Sequence, residues 1–558
     1  MHNVLEENVG HNEGHSEKRE AVATQLVSWL REEGIEHVLG VPSGGWLPYM
    51  QAMQNGGVEF VLVSNEASAG FMACVYAWLK GVPGVCYATI GPGSTNLSTG
   101  VGCAHLNRVP VLSLTGEPPR SMIGRTVQMA VDQQTMYQPL TKATMRLDPA
   151  RVYEMLDQAH HTAVSGVPGP VNIGLPDDLA VLNGEPRPGN RSSQPRRDEL
   201  KGPAEAALGQ MERAFGEAVR PVLAVGLGAV RNECADLIRE IAEKHQVPVV
   251  LTPMAKGMLA EDHASYAGVL FHALSDRVAE THQQADLVVG IGYDPVEFNY
   301  EAWMPNVKLI HIDAVPADID SEAYPAVLNV EGAITPALGR LLAMAPQSFE
   351  WDFDALAERR KKMFEMFVPD PSRFGPLAVL TSLRERLPND GIMTCDVGSH
   401  THLIGQMWRT PQPDSQLMDN GWSSMGFGVP SAIGAKLACP DREVACVTGD
   451  GGFLMMAGEM ATAKRLGLRI VFVLLSDSSL DLIRLKQAKR NMAPYGTSLG
   501  PEVGSVGDKI FGVPVLKTDD DQSYKKALEA AFESDGPTIV QAFIDPSEYD
   551  GLIQRKHK

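Results

Sequence analysis

The chain has 558 residues and a formal net charge of −20. This acidic balance argues against a nucleic-acid partner, because phosphate binding requires a basic surface. The seven cysteines lack the paired spacing of a zinc site, and no stretch reaches the roughly 18 apolar residues of a membrane span.

The first 18 residues are polar and include His2, His11 and His15. They lack the apolar segment of a secretory signal. The sequence therefore predicts a cytoplasmic protein with a disordered N-terminal tail, and metal binding by the three histidines is the alternative interpretation of this segment.

Short β-branched runs alternate with segments of helical period along the rest of the chain, beginning with EHVLGVP, FVLVSNE and VCYATIGPG. This alternation predicts mostly parallel sheets with helices on both faces, which is an α/β fold. Two segments that break the pattern are interpreted as linkers. The predicted organisation is a tail at 1–18, three domains at 19–182, 204–345 and 372–545, linkers at 183–203 and 346–371, and a tail at 546–558.

The strongest chemical signal lies in the third domain. The strand REVACVT leads directly into Gly449-Asp450-Gly451-Gly452, and the next strand, RIVFVLLSD, ends at Asp477. Ligands of open α/β sheets bind at the carboxyl ends of strands, and a carboxylate beside a diphosphate can hold a hard cation such as Mg²⁺. A tight turn at Gly449 and a helix cap at Asp477 form the alternative interpretation.

A GDG element followed, after the next strand, by a second acidic element resembles the binding motif of thiamine-diphosphate-dependent enzymes. The resemblance implies that the side chains of Asp450 and Asp477 and the carbonyl of Ser479 hold Mg²⁺, which in turn binds the cofactor diphosphate. The family usually has Asn-Asn or Asn-Asp where this chain has Ser476-Asp477. The resemblance extends over residues 19–545 and implies a pyrimidine-binding domain, a central domain and a diphosphate-binding domain.

Glu66 lies where the strand FVLVSNE meets a helical segment. By itself it would be a favourable partner of the helix dipole. The resemblance implies instead that Glu66 hydrogen-bonds the aminopyrimidine ring of the cofactor and activates it. Acetolactate synthases usually have His-Glu-Gln at this position, whereas this chain has Asn65-Glu66-Ala67.

The resemblance also implies the remaining contacts. Met425 matches the residue that bends the cofactor, the Ser423 carbonyl matches an acceptor for its amino group, and Gln128 is expected to reach the substrate. The other expected cofactor contacts are Pro42, Gly398, Ser399, His400, Gly449, Gly451 and Gly452.

The central domain contains Gly226-Leu227-Gly228, an incomplete dinucleotide fingerprint. Its segment IGYDPVEFNYEAW resembles that of the flavin-independent, catabolic acetolactate synthases, so no FAD is expected. Leu480 stands where those enzymes often have Tyr.

The resemblance implies decarboxylation of a 2-oxo acid, with pyruvate the expected donor, and carboligation to a second carbonyl. A simple 2-oxo acid decarboxylase and a lyase of 2-hydroxyketones or 2-hydroxyacyl compounds remain alternatives, as does a catalytically silent cofactor-binding paralogue. Glu66 and the GDG element lie in different domains, so a homodimer is the expected minimal unit and a homotetramer the expected assembly. No membrane partner is expected.

Overall fold

A computed structural model describes residues 20–187, 200–304, 306–320, 322, 324, 326–500 and 506–553. The predicted tail at 1–18 and most of the linker at 183–203 lie outside the described residues. Three sheets follow one another along the chain, and all but one of their strand pairings are parallel. The predicted α/β fold is confirmed.

The first sheet is fully parallel and has the strand order β2-β1-β3-β4-β6-β5. Its strands are β1 (His37–Gly40), β2 (Glu59–Leu62), β3 (Gly84–Ala88), β4 (Val111–Glu117), β5 (Ala143–Arg146) and β6 (Val171–Pro176). The helices of this domain are α1 (Val22–Glu32), α2 (Leu47–Gly56), α3 (Glu66–Lys80), α4 (Pro92–Leu106), α5 (Gln133–Tyr137) and α6 (Val152–Val164).

The second sheet is also parallel, in the order β12-β11-β10-β7-β8-β9. Its strands are β7 (Pro221–Val225), β8 (Val249–Leu251), β9 (Tyr266–Val269), β10 (Leu287–Ile291), β11 (Lys308–Asp313) and β12 (Val327–Glu331). The helices of this domain are α7 (Glu205–Glu217), α8 (Leu227–Arg231), α9 (Ala235–His245), α10 (Ser275–His282) and α11 (Ile334–Ala343). A further helix, α12 (Phe353–Glu365), lies within the predicted second linker.

The third sheet has the order β14-β13-β15-β16-β19-β18-β17, with an antiparallel edge pair β17–β18. Its strands are β13 (Ile392–Cys395), β14 (Gln416–Met418), β15 (Val444–Gly449), β16 (Val471–Ser476), β17 (Lys509–Ile510), β18 (Val513–Thr518) and β19 (Thr538–Phe543). The helices are α13 (Pro376–Arg386), α14 (Ser399–Met407), α15 (Gly428–Ala438), α16 (Asp450–Met456), α17 (Glu459–Arg465), α18 (Asp481–Lys489), α19 (Asp521–Glu533) and α20 (Ser547–Leu552).

Helix α20 lies within the predicted C-terminal tail. Its Tyr549 and Leu552 are buried, and Ile553 just beyond it is buried as well. Removal of these apolar side chains from water stabilises the helix, and Glu548 accepts from the amide of Leu377 in the third domain at 3.0 Å, so this segment is part of the packed structure.

The first and third domains share one hydrophobic core. Helix α3 packs on helix α15, with Phe71 and Phe427 edge to face at a centroid distance of 5.8 Å. Gly434 permits this contact, because a Cβ atom there would lie 2.6 Å from the carbonyl oxygen of Met72. The two domains are therefore held in a fixed relation within one chain.

Candidate active site

The carboxyl ends of β15 and β16 build the centre of the site. Both strands are buried and apolar, as expected for inner strands of a covered parallel sheet. Gly449 pairs with Leu475 across the two strands, so the chain leaves both strands at the same level. Asp450 and Asp477, which follow directly, therefore emerge side by side.

The two carboxylates are fixed by main-chain amides. Asp450 Oδ1 accepts from the amide of Gly451 at 2.9 Å, and its Oδ2 accepts from the amide of Ser478 at 2.7 Å. Asp477 Oδ1 accepts from the amide of Ser479 at 3.0 Å. These bonds hold both side chains in place before any ligand arrives.

The electrostatics of this pair favour a cation. Burial raises the pKa of Asp450. Burial, followed by the nearby charges of Asp450 and Asp481, raises the pKa of Asp477 to about 7. Two carboxylates that repel each other bind a divalent ion well, because the ion neutralises both. No group of three or more His, Cys, Asp or Glu side chains arranged for a metal occurs among the described residues, so further ligands would be carbonyl or diphosphate oxygens.

A cavity of about 840 Å³ opens beside this pair. It is lined by every residue that the sequence predicted for the C-terminal half of the site: Gly398, Ser399, His400, Ser423, Met425, Gly449, Asp450, Gly451, Gly452, Asp477 and Ser479. The central domain contributes His272, Glu297 and Phe298 to its wall.

His400 lies deep in the cavity wall. Burial lowers the pKa of His400 to about 4, so the ring is neutral at neutral pH. Its buried Nε2 has no hydrogen-bond partner within the described part of the chain. An orphaned ring nitrogen in a cavity wall fits a site that receives a polar ligand.

Met425 and Leu480 meet above Gly451. A Cβ atom at Gly451 would lie 2.5 Å from Cδ2 of Leu480 and 3.2 Å from Cε of Met425. A side chain at this position would therefore displace Leu480, and Met425 forms an apolar part of the cavity wall.

Two buried carboxylates that the sequence analysis missed hold the loops of the site. Asp396 follows β13 and accepts from the amides of Val397 at 2.6 Å and Gly426 at 2.9 Å. A Cβ atom at Gly452 would lie 2.7 Å from Asp396 Oδ2. Burial raises the pKa of Asp396 to about 6. Its position at a strand end was the only signal in the sequence.

Asp419 fixes the segment that carries Ser423 and Met425. Its carboxylate accepts from the amides of Trp422 and Ser424, both at 3.0 Å. It also accepts from Nδ2 of Asn107, a residue of the first domain, at 3.2 Å. Ser423 itself has φ of +53°, a strained conformation that these bonds hold in place.

Glu66 lies at the first turn of α3 and is 9% exposed. Its Oε2 accepts from Nδ2 of Asn96 at 3.1 Å, and a Cβ atom at Gly93 would lie 3.0 Å from its Oε1. Asn96 and Gly93 belong to α4, so the carboxyl lies beneath the start of that helix.

The turn before Glu66 is bound by the third domain of the same chain. Glu459 Oε1 accepts from the amides of Ser64 at 3.0 Å and Asn65 at 3.1 Å. Burial raises the pKa of Glu459. No local pattern in the sequence predicts this contact, because it joins residues far apart in the chain.

Pro42, Glu66 and Gln128 do not reach the cavity of this chain. The cavity wall includes no residue from 20–187, within the part of the chain that the structure describes. Pro42 and Gln128 are exposed. The structure therefore separates the predicted N-terminal contacts from the predicted C-terminal contacts.

The sequence matches three family profiles, each covering one sheet-containing region. They are described as "Thiamine pyrophosphate enzyme" domains: the N-terminal TPP binding domain at residues 20–136, the central domain at 210–341 and the C-terminal TPP binding domain at 396–542. Among the described helices, none combines the length and apolar character required to cross a membrane.

Similar proteins extend over nearly the whole chain. An acetolactate synthase of Bacillus subtilis is 29% identical over 551 residues, covering 96% of this chain and 95% of the relative. The large subunits of acetolactate synthase isozymes 2 and 1 of Escherichia coli are each 30% identical, over 94% and 95% of this chain and 96% and 95% of the relatives. The predicted membership is thereby confirmed: the chain belongs to the thiamine-pyrophosphate-dependent enzymes of the acetolactate synthase-like superfamily.

Proposed function

We propose that this enzyme decarboxylates pyruvate and joins the remaining two-carbon unit to a second carbonyl compound, as an acetolactate synthase does. The observation that carries the proposal is the cavity beside Asp450 and Asp477, whose walls unite the predicted diphosphate and metal contacts. When bound there, thiamine diphosphate supplies the electron sink that stabilises the carbanion left by carbon dioxide.

Mg²⁺ is the proposed metal, with Asp450, Asp477 and the Ser479 carbonyl as ligands. Oxygen ligands suit this hard cation, and the pKa of Asp477 is raised to about 7 first by burial and then by the charges of Asp450 and Asp481, which the ion would neutralise. Gly449 and Gly451 allow the backbone to approach the diphosphate, and His400, whose Nε2 has no partner among the described residues, lies in the same cavity wall.

Glu66 is the proposed activating residue. Its carboxyl is buried, and Asn96 donates to Oε2. A buried carboxyl that is held in one orientation can share a proton with a ring nitrogen. Gln128, which is exposed on the same domain, is proposed to contact the substrate.

The absence of FAD remains part of the proposal and is supported by the central domain. The order of the strands in the central sheet reverses direction between β7 and β10. At this point the amide of Gly228 donates to the Gly292 carbonyl at 2.8 Å. A Cβ atom at Gly226 would lie 2.6 Å from the same oxygen. In dinucleotide-binding folds this crevice receives the diphosphate, whereas here backbone packs against backbone.

Glu297 adds to this argument. Its Oε1 accepts from the amide of Met254, just beyond β8, at 3.0 Å. Burial raises the pKa of Glu297 to about 8. The Met254 amide, at the carboxyl edge of the central sheet, is thus already paired with a side chain of the protein. Protein purified without added cofactor should show no flavin absorption band, and the appearance of one would refute this part of the proposal.

A homodimer is the proposed minimal unit, and a homotetramer the proposed assembly. The support is the separation of Glu66 from the cavity of its own chain. Apolar side chains are exposed on both halves: Leu47, Met129 and Val131 near the N-terminal contacts, and Leu454 and Met455 just after the GDG element. A second copy would cover both surfaces and complete the site.

The test of the proposed function uses purified protein with thiamine diphosphate, Mg²⁺ and pyruvate. We expect release of carbon dioxide and formation of 2-acetolactate, detected by mass spectrometry, with Glu66→Gln protein as the inactive control. Acetaldehyde as the sole product would indicate a decarboxylase instead. Absence of carbon dioxide release would refute pyruvate as the donor.

A further inference from the structure

Helix α18 forms one wall of the active-site cavity and brings three cations to it. Lys486, Lys489 and Arg490 all line the cavity, with Arg490 directly after the helix. Lys486 and Arg490 are four positions apart, which places them on the same face of a helix. We refer to Lys486 and Arg490 as the cationic rim.

Lys486 and Arg490 differ from Arg484 of the same helix in having no ionic partner among the described residues. Arg484 pairs with Asp481 and Asp550. Lys489 donates to the carbonyl of Ile553 at 2.7 Å. Lys486 and Arg490 form no ion pair with any described residue, and both are exposed.

Such an arrangement is unexpected in this chain, whose net charge is −20. The overall field of the protein repels small anions, and a 2-oxo acid is an anion. Exposed cations that line the cavity oppose this repulsion locally, because low-dielectric walls concentrate their field.

We propose that Lys486 and Arg490 bind the carboxylate of the incoming 2-oxo acid and so make the site selective for anionic substrates. This inference rests on the proposed function, since it assumes a 2-oxo acid substrate. The two side chains act on capture and binding, before any covalent step, and they leave activation of the cofactor to Glu66.

The main experiment compares the parent holoenzyme with a Lys486→Ala/Arg490→Ala double variant, at saturating thiamine diphosphate and Mg²⁺. At low ionic strength we expect KM for pyruvate to rise by at least about tenfold, because electrostatic attraction changes capture of charged ligands by about 10–10³-fold. The fall in kcat should be smaller than the rise in KM. The difference should shrink at high salt, which screens exposed charges.

Two further variants test whether the effect on KM comes from the charges of the rim, rather than from altered packing or from the change in net charge of the protein. Lys486→Arg/Arg490→Lys keeps both charges and should retain a KM close to that of the parent. Lys525→Ala/Lys526→Ala removes the same number of charges from the exposed face of α19, outside the cavity, and should leave KM unchanged. An unchanged KM in the Lys486→Ala/Arg490→Ala variant, or equal effects of the two double alanine variants, would overturn the proposal.

A binding measurement distinguishes failure of this inference from failure of the proposed function. In holoenzyme carrying Glu66→Gln, NMR line broadening reports pyruvate binding without turnover. If loss of the rim weakens pyruvate binding, and this difference from the Glu66→Gln protein shrinks at high salt, the inference is supported even if the parent forms no acetolactate. Pyruvate binding that does not depend on the rim refutes it even if the parent is an active synthase.

Discussion

The first and third domains have the same architecture, a parallel sheet between helices, but they present their site residues differently. In the third domain, Asp450 and Asp477 leave neighbouring strands and meet at the wall of a cavity. In the first domain, Pro42 and Glu66 also follow strand ends, β1 and β2, yet neither lines that cavity. The difference supports the proposal of two complementary half-sites, each carried by one kind of domain.

The largest expected effect is on cofactor affinity and concerns Asp450 in the third domain. Asp450→Ala removes a proposed metal ligand and leaves the diphosphate charge unmatched, so affinity for thiamine diphosphate in the presence of Mg²⁺ should fall at least about 100-fold. Isothermal calorimetry measures this. Asp441→Ala, an exposed aspartate just before β15, is the matched control. Equal affinities of parent and Asp450→Ala protein would refute the metal assignment.

The next effect concerns the first domain. Glu66→Gln keeps the shape and one hydrogen bond but cannot exchange a proton, so deuterium exchange of the cofactor's thiazolium proton should slow by about 10²–10⁴-fold. Quenched-flow exchange followed by NMR of the released cofactor measures this rate. Glu59→Gln, on the exposed side of β2, should exchange like the parent. A Glu66→Gln rate within about threefold of the parent would exclude Glu66 as the activator.

A smaller effect is expected where the two domains touch. Asp419→Ala removes the acceptor for Trp422, Ser424 and Asn107 and loosens the segment that carries Met425. The lost hydrogen bonds are worth about 1–2 kcal/mol. If this energy is lost from cofactor binding, the affinity for thiamine diphosphate should fall about tenfold. Asp419→Asn, which keeps one acceptor oxygen, should lose less. An unchanged affinity in folded Asp419→Ala protein would show that the segment is held by other contacts.

The sequence alone was enough to place those site residues that directly follow a buried strand. A carboxylate after a buried strand must lie at the edge of the sheet, so Asp450 and Asp477 could be placed together before the structure was known. The glycines beside Asp450 also indicated a phosphate-binding site at this edge. The fold class could be predicted for the same reason, because strands that are apolar on both faces require helices on both sides.

The remaining parts of the site depend on contacts across long distances in the chain. Asp396 and Glu459 accept amide hydrogens from distant loops, and Asp419 accepts from the Asn107 side chain of the first domain. Glu66 could be singled out only through family resemblance, since a glutamate at a helix start is common. The cationic rim was missed because helical spacing alone does not distinguish a cavity wall from a solvated face.

In the proposed dimer, each active site takes Glu66 from one chain and Asp450 from the other. Inactive Glu66→Gln and inactive Asp450→Ala proteins, mixed in equal amounts under conditions of verified subunit exchange, provide the most direct test. Random pairing makes half of the dimers mixed, and each mixed dimer has one intact site, so activity should return to about a quarter of the parent value. No recovery after exchange would contradict the account, because it would place both residues in the site of a single chain.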